Sequence, residues 1–331
     1  MDQEMKPDYS IIIPVYFNEG CLWPVIRALW EKVIEPNSPH IAEVIFVDDG
    51  SGDGSLGELR QIQKEFPSLV HIIQLTRNFG QCNALMAGYS RAKGQCVISI
   101  SADGQEPPEV INEMVKAYFQ EGYEVVIGTR ASRDESQFRI ITSRIFYSLM
   151  RNMTFPNMPE GGFDVFLMGR RALDALLRNT DAHPFLQGQI LWMGFKTKLV
   201  PYHRLRRIAG ASRWTFWRKI TGLVDGVLAF SFLPIRCMSL FGFLFALLGF
   251  LYALDVLIGK LLDGNPVTGW APLMIVILVM GGIQMLMLGV IGEYLWRTLA
   301  QVRNREKFLI EAIYDAQPSD ISGAEGTGKF L

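Results

Sequence analysis

Five short runs of apolar and β-branched residues recur along the first 130 positions: Ser10–Val15, Glu43–Val47, His71–Leu75, Cys96–Ser101 and Glu124–Gly128. Between them lie Cys21–Val33, Ser55–Glu65, Gln81–Ala92 and Pro108–Gln120, which mix apolar and polar positions as helices do. Nearly continuous apolar strands predict burial on both faces. Strand–helix alternation then predicts an open α/β sheet, mainly parallel and covered by helices on both sides. Pro107 and Pro108 stand where the fourth helix starts, a place that tolerates a missing N–H. Ligands of such sheets bind beyond the carboxyl ends of the strands, so chemistry is expected directly after each run.

The pattern changes further on. Phe138, Ile141, Ile145 and Leu149 share one helical face within 138–153, with Arg139, Arg144 and Arg151 on others. Phe216, Ile220, Leu223, Val224 and Val227 repeat this within 215–228, and both stretches suit helices lying in a membrane interface. No charge occurs from Cys237 to Leu254 or from Gly264 to Gly292. Each run approaches the ~20 apolar residues that a membrane span needs, which predicts spans at about 238–258 and 270–291. Arg218, Lys219 and Arg236 precede the pair, and Arg297, Arg303, Arg305 and Lys307 follow it, whereas the connector carries only Lys260 and Asp263. Positive residues mark the cytosolic side, so a hairpin of the inner (plasma) membrane with both termini cytosolic is expected. Gly281, Gly282 and Gly289 would allow close helix approach and hence a homo-oligomer, such as a homotetramer, through these helices. The expected division is a catalytic domain over 1–212, a juxtamembrane amphipathic helix over 213–233, the membrane pair over 234–297 and a cytosolic tail over 298–331.

Composition narrows the function. A net charge of -1 over 331 residues argues against nucleic acid as a partner. Cys21, Cys82, Cys96 and Cys237 lack metal-ligand or disulfide spacing, consistent with reduced cytosolic thiols. Met1–Tyr9 has no apolar stretch of the kind a signal peptide requires.

The residues after the strands carry the candidate chemistry. The second run leads into Asp48-Asp49-Gly50-Ser51-Gly52-Asp53-Gly54-Ser55. Its glycine spacing is not G-x-G-x-x-G, and two carboxylates would repel a pyrophosphate. They could accept hydrogen bonds from a base or ribose, or simply build a turn. The fourth run ends in Ser101-Ala102-Asp103-Gly104-Gln105, where alternating oxygen ligands suit a hard divalent cation, although Asp-x-Gln is also an ordinary loop.

Together these segments resemble the family-2, GT-A-fold (Rossmann-like) glycosyltransferases, and more narrowly the polyprenyl-phosphate glycosyltransferases. The resemblance runs through Ile13-Pro14-Val15-Tyr16, Val47-Asp48-Asp49-Gly50-Ser51, Arg77-Asn78-Phe79-Gly80-Gln81 and Ala102-Asp103-Gly104-Gln105 with Pro107-Pro108-Glu109. It continues through Glu121-Gly122-Tyr123-Glu124, Arg207-Ile208-Ala209-Gly210-Ala211-Ser212-Arg213 and Ile291-Gly292-Glu293-Tyr294-Leu295. It implies a nucleotide-sugar donor, a polyprenyl phosphate acceptor, membrane lipid as surroundings, and Mg2+ or Mn2+ as cofactor. Pro14, Tyr16, Glu19 and Asp48 would then hold the base and ribose. Asp49 would support the turn, and Arg77 and Asn78 would border the pocket. Asp103 and Gln105 match the metal positions, but Ser101 stands where the family usually has an acid. Arg130, Arg139 and Ser143 match positions that receive the acceptor phosphate. Arg207, Ser212 and Arg213 match a basic loop over the donor diphosphate. Asp164 would orient the acceptor or cap a turn.

The implied reaction is inverting transfer of a sugar, by resemblance glucose from UDP-glucose, to undecaprenyl phosphate. A phosphate nucleophile is largely ionised at neutral pH and needs no strong base, which agrees with only four histidines, none within the motifs read after the strands. The rival readings are a processive polysaccharide glycosyltransferase, disfavoured by the missing Q-x-x-R-W, and a catalytically dead membrane scaffold, favoured by Ser101 alone.

Overall fold

The computed structural model describes residues 6–130, 151, 157–159, 162–178, 185–205, 233–263, 270–303 and 305–315. In chain order the elements begin with β1 (Tyr9–Val15) and α1 (Leu22–Leu29), which runs on into a π-helical turn (Trp30–Ile34). Next come β2 (Ala42–Asp48), α2 (Ser55–Glu65), β3 (Val70–Leu75), α3 (Gln81–Arg91), β4 (Cys96–Ser99), α4 (Glu109–Phe119) and β5 (Val125–Arg130). Then follow β6 (Phe166–Gly169), α5 (Arg170–Leu177), α6 (Leu186–Trp192) and β7 (Thr197–Tyr202). Two long helices, α7 (Leu233–Asp263) and α8 (Trp270–Arg303), precede a last strand, β8 (Ile310–Tyr314).

The strands form one sheet in the order β7-β5-β6-β4-β1-β2-β3-β8. Its centre is buried on both faces, as the apolar runs predict. Ile11, Ile12 and Ile13 of β1 and Phe46 and Val47 of β2 are all fully buried, each contributing about 1.5–3 kcal/mol of apolar burial. Gly88 lets α3 close on the sheet, because a Cβ there would lie 2.3 Å from Ile12 Cγ2. All five expected strands and all four expected helices between them are present, with ends shifted by a residue or two. The first helix differs most, finishing as a π-turn.

The sheet is mainly parallel, as expected, with two antiparallel strands added, β6 and β8. β6 inserts antiparallel between β4 and β5, so these two strands are not neighbours. The segment 298–331, expected as a cytosolic tail, holds the end of one helix and a strand of the sheet. α8 continues to Arg303, and β8 pairs antiparallel with β3, Ile72 opposite Tyr314. β8 caps the open edge of β3, which would otherwise expose an unpaired apolar strand. Tyr314 is its anchor: its hydroxyl donates to Gln74 Oε1 at 3.0 Å, it accepts a hydrogen bond from Arg60, and that guanidinium lies 4.5 Å from the ring centroid. Tyr314→Ala is expected to cost about 2 kcal/mol and to raise amide exchange in β3; thermal melts and hydrogen exchange check both.

The chain divides into two compact units, residues 1–221 with 306–331, and residues 222–305. In the second unit α7 has 31 residues and α8 has 34. Both extend beyond the expected spans of about 238–258 and 270–291. They meet at Gly242, where an added Cβ would lie 3.1 Å from Met287 Cε. Among the described residues Val279–Arg303 (25 residues, mean hydropathy 1.3) is long and apolar enough to cross a membrane, and Met238–Tyr252 is a shorter apolar stretch. The expected amphipathic helices at 138–153 and 213–233 lie outside the described residues, apart from Arg151 and Leu233.

Candidate active site

The parallel pairings orient β1, β2, β3, β4, β5 and β7 alike, so their carboxyl ends share one edge of the sheet. At β2 the chain turns sharply through Asp49 and Gly50. Gly50 has φ +67°, and a Cβ there would meet Arg77 C at 2.6 Å, so only glycine fits against the Arg77–Asn78 backbone. Asp49 is buried and accepts from Asn78 Nδ2 at 3.0 Å, Phe79 N at 2.7 Å and Gly80 N at 2.9 Å. It therefore ties the loop after β3 to the end of β2.

Asp48 is equally buried and accepts from Ser51 N at 3.2 Å. Burial raises its carboxyl, and that of Asp49, above the ordinary range despite these donors. Pro14 sits past the last β1–β4 pair, Ile12 with Ser99, where its missing N–H breaks no ladder bond on that side. Glu19 caps α2 by accepting from Gly54 N at 3.0 Å. Tyr16 and Phe17 are partly exposed at the same edge, their rings edge to face at 4.7 Å. Arg77 lies 4.1 Å over the Phe79 ring and donates to Asn78 O. Exposed aromatic and guanidinium surface over buried carboxylates is a surface on which a base can stack.

β4 ends at Ser99, two residues before the expected end, which puts Ser101 in the loop. Its hydroxyl donates to Asp103 Oδ1 at 2.8 Å and also contacts Glu106 Oε2, while Ser101 N reaches the same oxygen at 3.2 Å. Glu106 is 5% exposed. Burial above all, then the charges of Asp103 and Asp164, push its carboxyl up, and the serine and Arg204 only partly oppose this. One serine hydroxyl has one proton to share between two carboxyls, and burial shifts Glu106 toward its neutral form.

The sign of the pH effect follows. The folded state binds this proton more tightly than the unfolded chain does. The stability it contributes is full below the ordinary carboxylate pKa and is lost as pH rises through the raised one. Thermal melts from about pH 4 to about pH 8 are expected to fall less steeply for Glu106→Gln than for wild type; Asp48 and Asp49 add slope of the same sign and Glu109, whose carboxyl is lowered, of the opposite sign.

Gln105 departs from expectation. Its Oε1 accepts from Arg204 Nη2 at 2.6 Å and its backbone carbonyl accepts from Leu205 N at 2.8 Å. The amide oxygen meant for a metal thus faces a guanidinium. Among the described residues no cluster of three His, Cys, Asp or Glu side chains is placed to hold a metal ion. The donor set still suits Mg2+ or Mn2+ arriving with a diphosphate, since such ions take one or two protein ligands and fill the rest with phosphate oxygens and water. Asp103 offers a hard anionic oxygen of the kind such an ion takes.

Because β6 runs antiparallel beside β5, the residue before one strand meets the residue ending the other. Gly128 N donates to Val165 O at 2.9 Å, and Arg130 forms an ion pair with Asp164. Asp164 is therefore the counter-charge of Arg130. Tyr202, at the end of β7, is buried nearby, its hydroxyl pushed up to about 12 by burial first and then by Glu106. Glu106, Tyr202 and Arg204 were not anticipated. Lys198 and Pro201 disguise β7 as a loop, and Glu106 reads as one more acid before Pro107. His203, also exposed at that strand end, was missed for the same reason. Arg139, Ser143, Arg207, Ser212 and Arg213 lie outside the described residues.

The sequence profile described as Glycosyl transferase family 2 matches residues 10–177. An uncharacterized glycosyltransferase of Bacillus subtilis (strain 168) is 36% identical over 92% of this chain and 94% of its own length. The SfII prophage-derived bactoprenol glucosyl transferase of Shigella flexneri is 33% identical over 93% of this chain and 99% of its own. Among solved structures, a mannosyltransferase from Pyrobaculum calidifontis in complex with GDP-Man and Mn2+ superimposes with a TM-score of 0.50. It is 20% identical and covers 71% of this chain and 66% of its own, a likeness of fold.

Proposed function

The chain belongs to glycosyl transferase family 2, and from that premise we propose that it moves glucose from UDP-glucose to a polyprenyl phosphate, undecaprenyl phosphate, with inversion. The observation that carries the reading is the meeting of the Asp48–Asp49 turn, the Asp103 loop and the Arg130–Asp164 pair at one sheet edge. The bactoprenol glucosyl transferase relative, matched along nearly its whole length, supports the acceptor.

In this reading the base stacks at Tyr16 and Arg77, and the turn of Asp48 presents acceptors to the ribose. Pro14 and Glu19 shape the pocket wall, and Asn78 holds the loop beside it. A divalent cation bound at Asp103 supplies charge neutralisation on the departing diphosphate. Arg207, Ser212 and Arg213 close over that diphosphate. Arg130, released from Asp164, and Arg139 with Ser143 receive the acceptor phosphate, whose ionised oxygen attacks the anomeric carbon. No histidine base is needed, and rate comes from positioning and charge stabilisation.

Residues 1–212 form the catalytic part, and α7 and α8 the membrane anchor. Phe243 and Phe250 of α7 and Met285 and Leu295 of α8 are more than half exposed, as lipid-facing residues are.

The test is a thermal-shift screen of UDP-glucose, UDP-N-acetylglucosamine and GDP-mannose with Mn2+, followed by labelled-sugar transfer to undecaprenyl phosphate. UDP-glucose at 100-fold its Kd should stabilise by about 2.7 kcal/mol. Absence of any nucleotide-sugar effect and of lipid-linked product would favour the dead scaffold. Polymeric product would favour the processive reading.

A further inference from the structure

We propose that Glu106, acting through Ser101, is the positioning residue that holds the Asp103 carboxylate in the orientation the donor's cation requires. The geometry is a line of three groups: Glu106 Oε2, the Ser101 hydroxyl, and Asp103 Oδ1 at 2.8 Å from that hydroxyl. Gln105 N reaches the same Asp103 oxygen at 3.2 Å. Asp103 Oδ1 is thus pinned from two directions, and this fixes the plane of the carboxylate on a loop that turns at Gly104, with φ +67°.

For fold stability Glu106 Oε2 accepts the Ser101 N–H at 3.2 Å, a role that a neutral glutamine would fill as well. The side chain is 5% exposed, and its Oε1 has no hydrogen-bond partner among the described residues. An apolar residue there would avoid burying a polar group beside Asp103 and Asp164 but would take the acceptor from the Ser101 N–H. What the carboxyl does provide is a fixed contact for the Ser101 hydroxyl, and through it a fixed Asp103. Groups behind a metal ligand commonly act this way, and their loss costs about 10- to 100-fold in metal affinity.

This inference rests on the reading of Asp103 as the carboxylate that faces the donor's cation, so the experiment tests both. Full-length protein in detergent is titrated with Mn2+ in the presence of UDP, and bound Mn2+ is followed by electron paramagnetic resonance, a readout independent of turnover. Ser101→Ala and Glu106→Ala are each expected to bind Mn2+ about tenfold more weakly, and the double variant no weaker than either single one within about threefold. Ser101→Thr, which keeps the hydroxyl, should recover most of the affinity.

In kinetics the same variants should raise the Mn2+ concentration for half-maximal rate more than they lower kcat. Should Glu106→Ala fail to fold, Ser101→Ala against Ser101→Thr carries the test alone. Wild-type affinity in Ser101→Ala, with binding lost in Asp103→Ala, overturns the positioning role only. Wild-type affinity in Asp103→Ala, or no Mn2+ bound by the wild-type protein with UDP, overturns the donor reading and this inference with it.

Discussion

Asp103→Ala should lower sugar transfer by about a thousandfold, roughly 4 kcal/mol of transition-state stabilisation, while the protein stays folded. The argument starts from what the side chain does for the fold, which is little. Asp103 is only partly buried, and its bonds from Ser101 Oγ and Gln105 N lie within one loop. Losing them costs about 1–2 kcal/mol, well short of unfolding. For chemistry the same carboxylate is the hard anionic ligand beside which charge develops on the departing diphosphate. Asp103→Asn separates the two roles. It keeps an oxygen for the serine hydroxyl but removes the charge, so it should melt like wild type and still be nearly inactive. Release of nucleoside diphosphate, with and without undecaprenyl phosphate, measures the activity, and circular dichroism the fold. An Asp103→Ala protein with wild-type turnover would remove the cation from the mechanism.

Asp49→Ala is expected to have the opposite profile, a loss of stability of about 4 kcal/mol with failure of donor binding as its consequence. Three donors converge on this carboxylate, Asn78 Nδ2, Phe79 N and Gly80 N, and alanine leaves all three without it. Two are backbone groups at the entry to α3, a helix whose Gly88 packs on β1, so the damage spreads from the loop into the core. Asp49→Asn should fall between, because its amide nitrogen turns a donor toward donors. Thermal melts order the three proteins. Nucleotide binding followed on heating should disappear with the fold in Asp49→Ala, whereas Asp103→Ala would lose activity on an intact scaffold.

The two predictions differ because neighbouring motifs of similar composition are used differently, and this was only half legible in the chain. Asp49 after an apolar run announces a strand end and a turn; that its carboxylate clamps a loop some 30 residues later depends on β2 and β3 lying side by side. Gln105 was readable as an oxygen ligand two positions from Asp103. Its capture by Arg204 could not be read, because Arg204 follows β7, whose Lys198 and Pro201 break the strand pattern. Asp164 was recognised as an acid worth watching. Its pairing with Arg130 needed β6 to run antiparallel beside β5.

By itself the sequence determined the five leading strands, the helices between them, the edge at which chemistry gathers, and the presence of two long apolar helices. These follow from local rules, since hydrophobic periodicity, β-branching and prolines at helix starts act over a few residues. Tertiary structure alone decided the antiparallel insertion of β6, the return of β8 to cover β3, the Arg130–Asp164 pair and the line from Glu106 through Ser101 to Asp103. Each joins groups by pairing register, burial or a shared proton, quantities that exist only once the strands have neighbours.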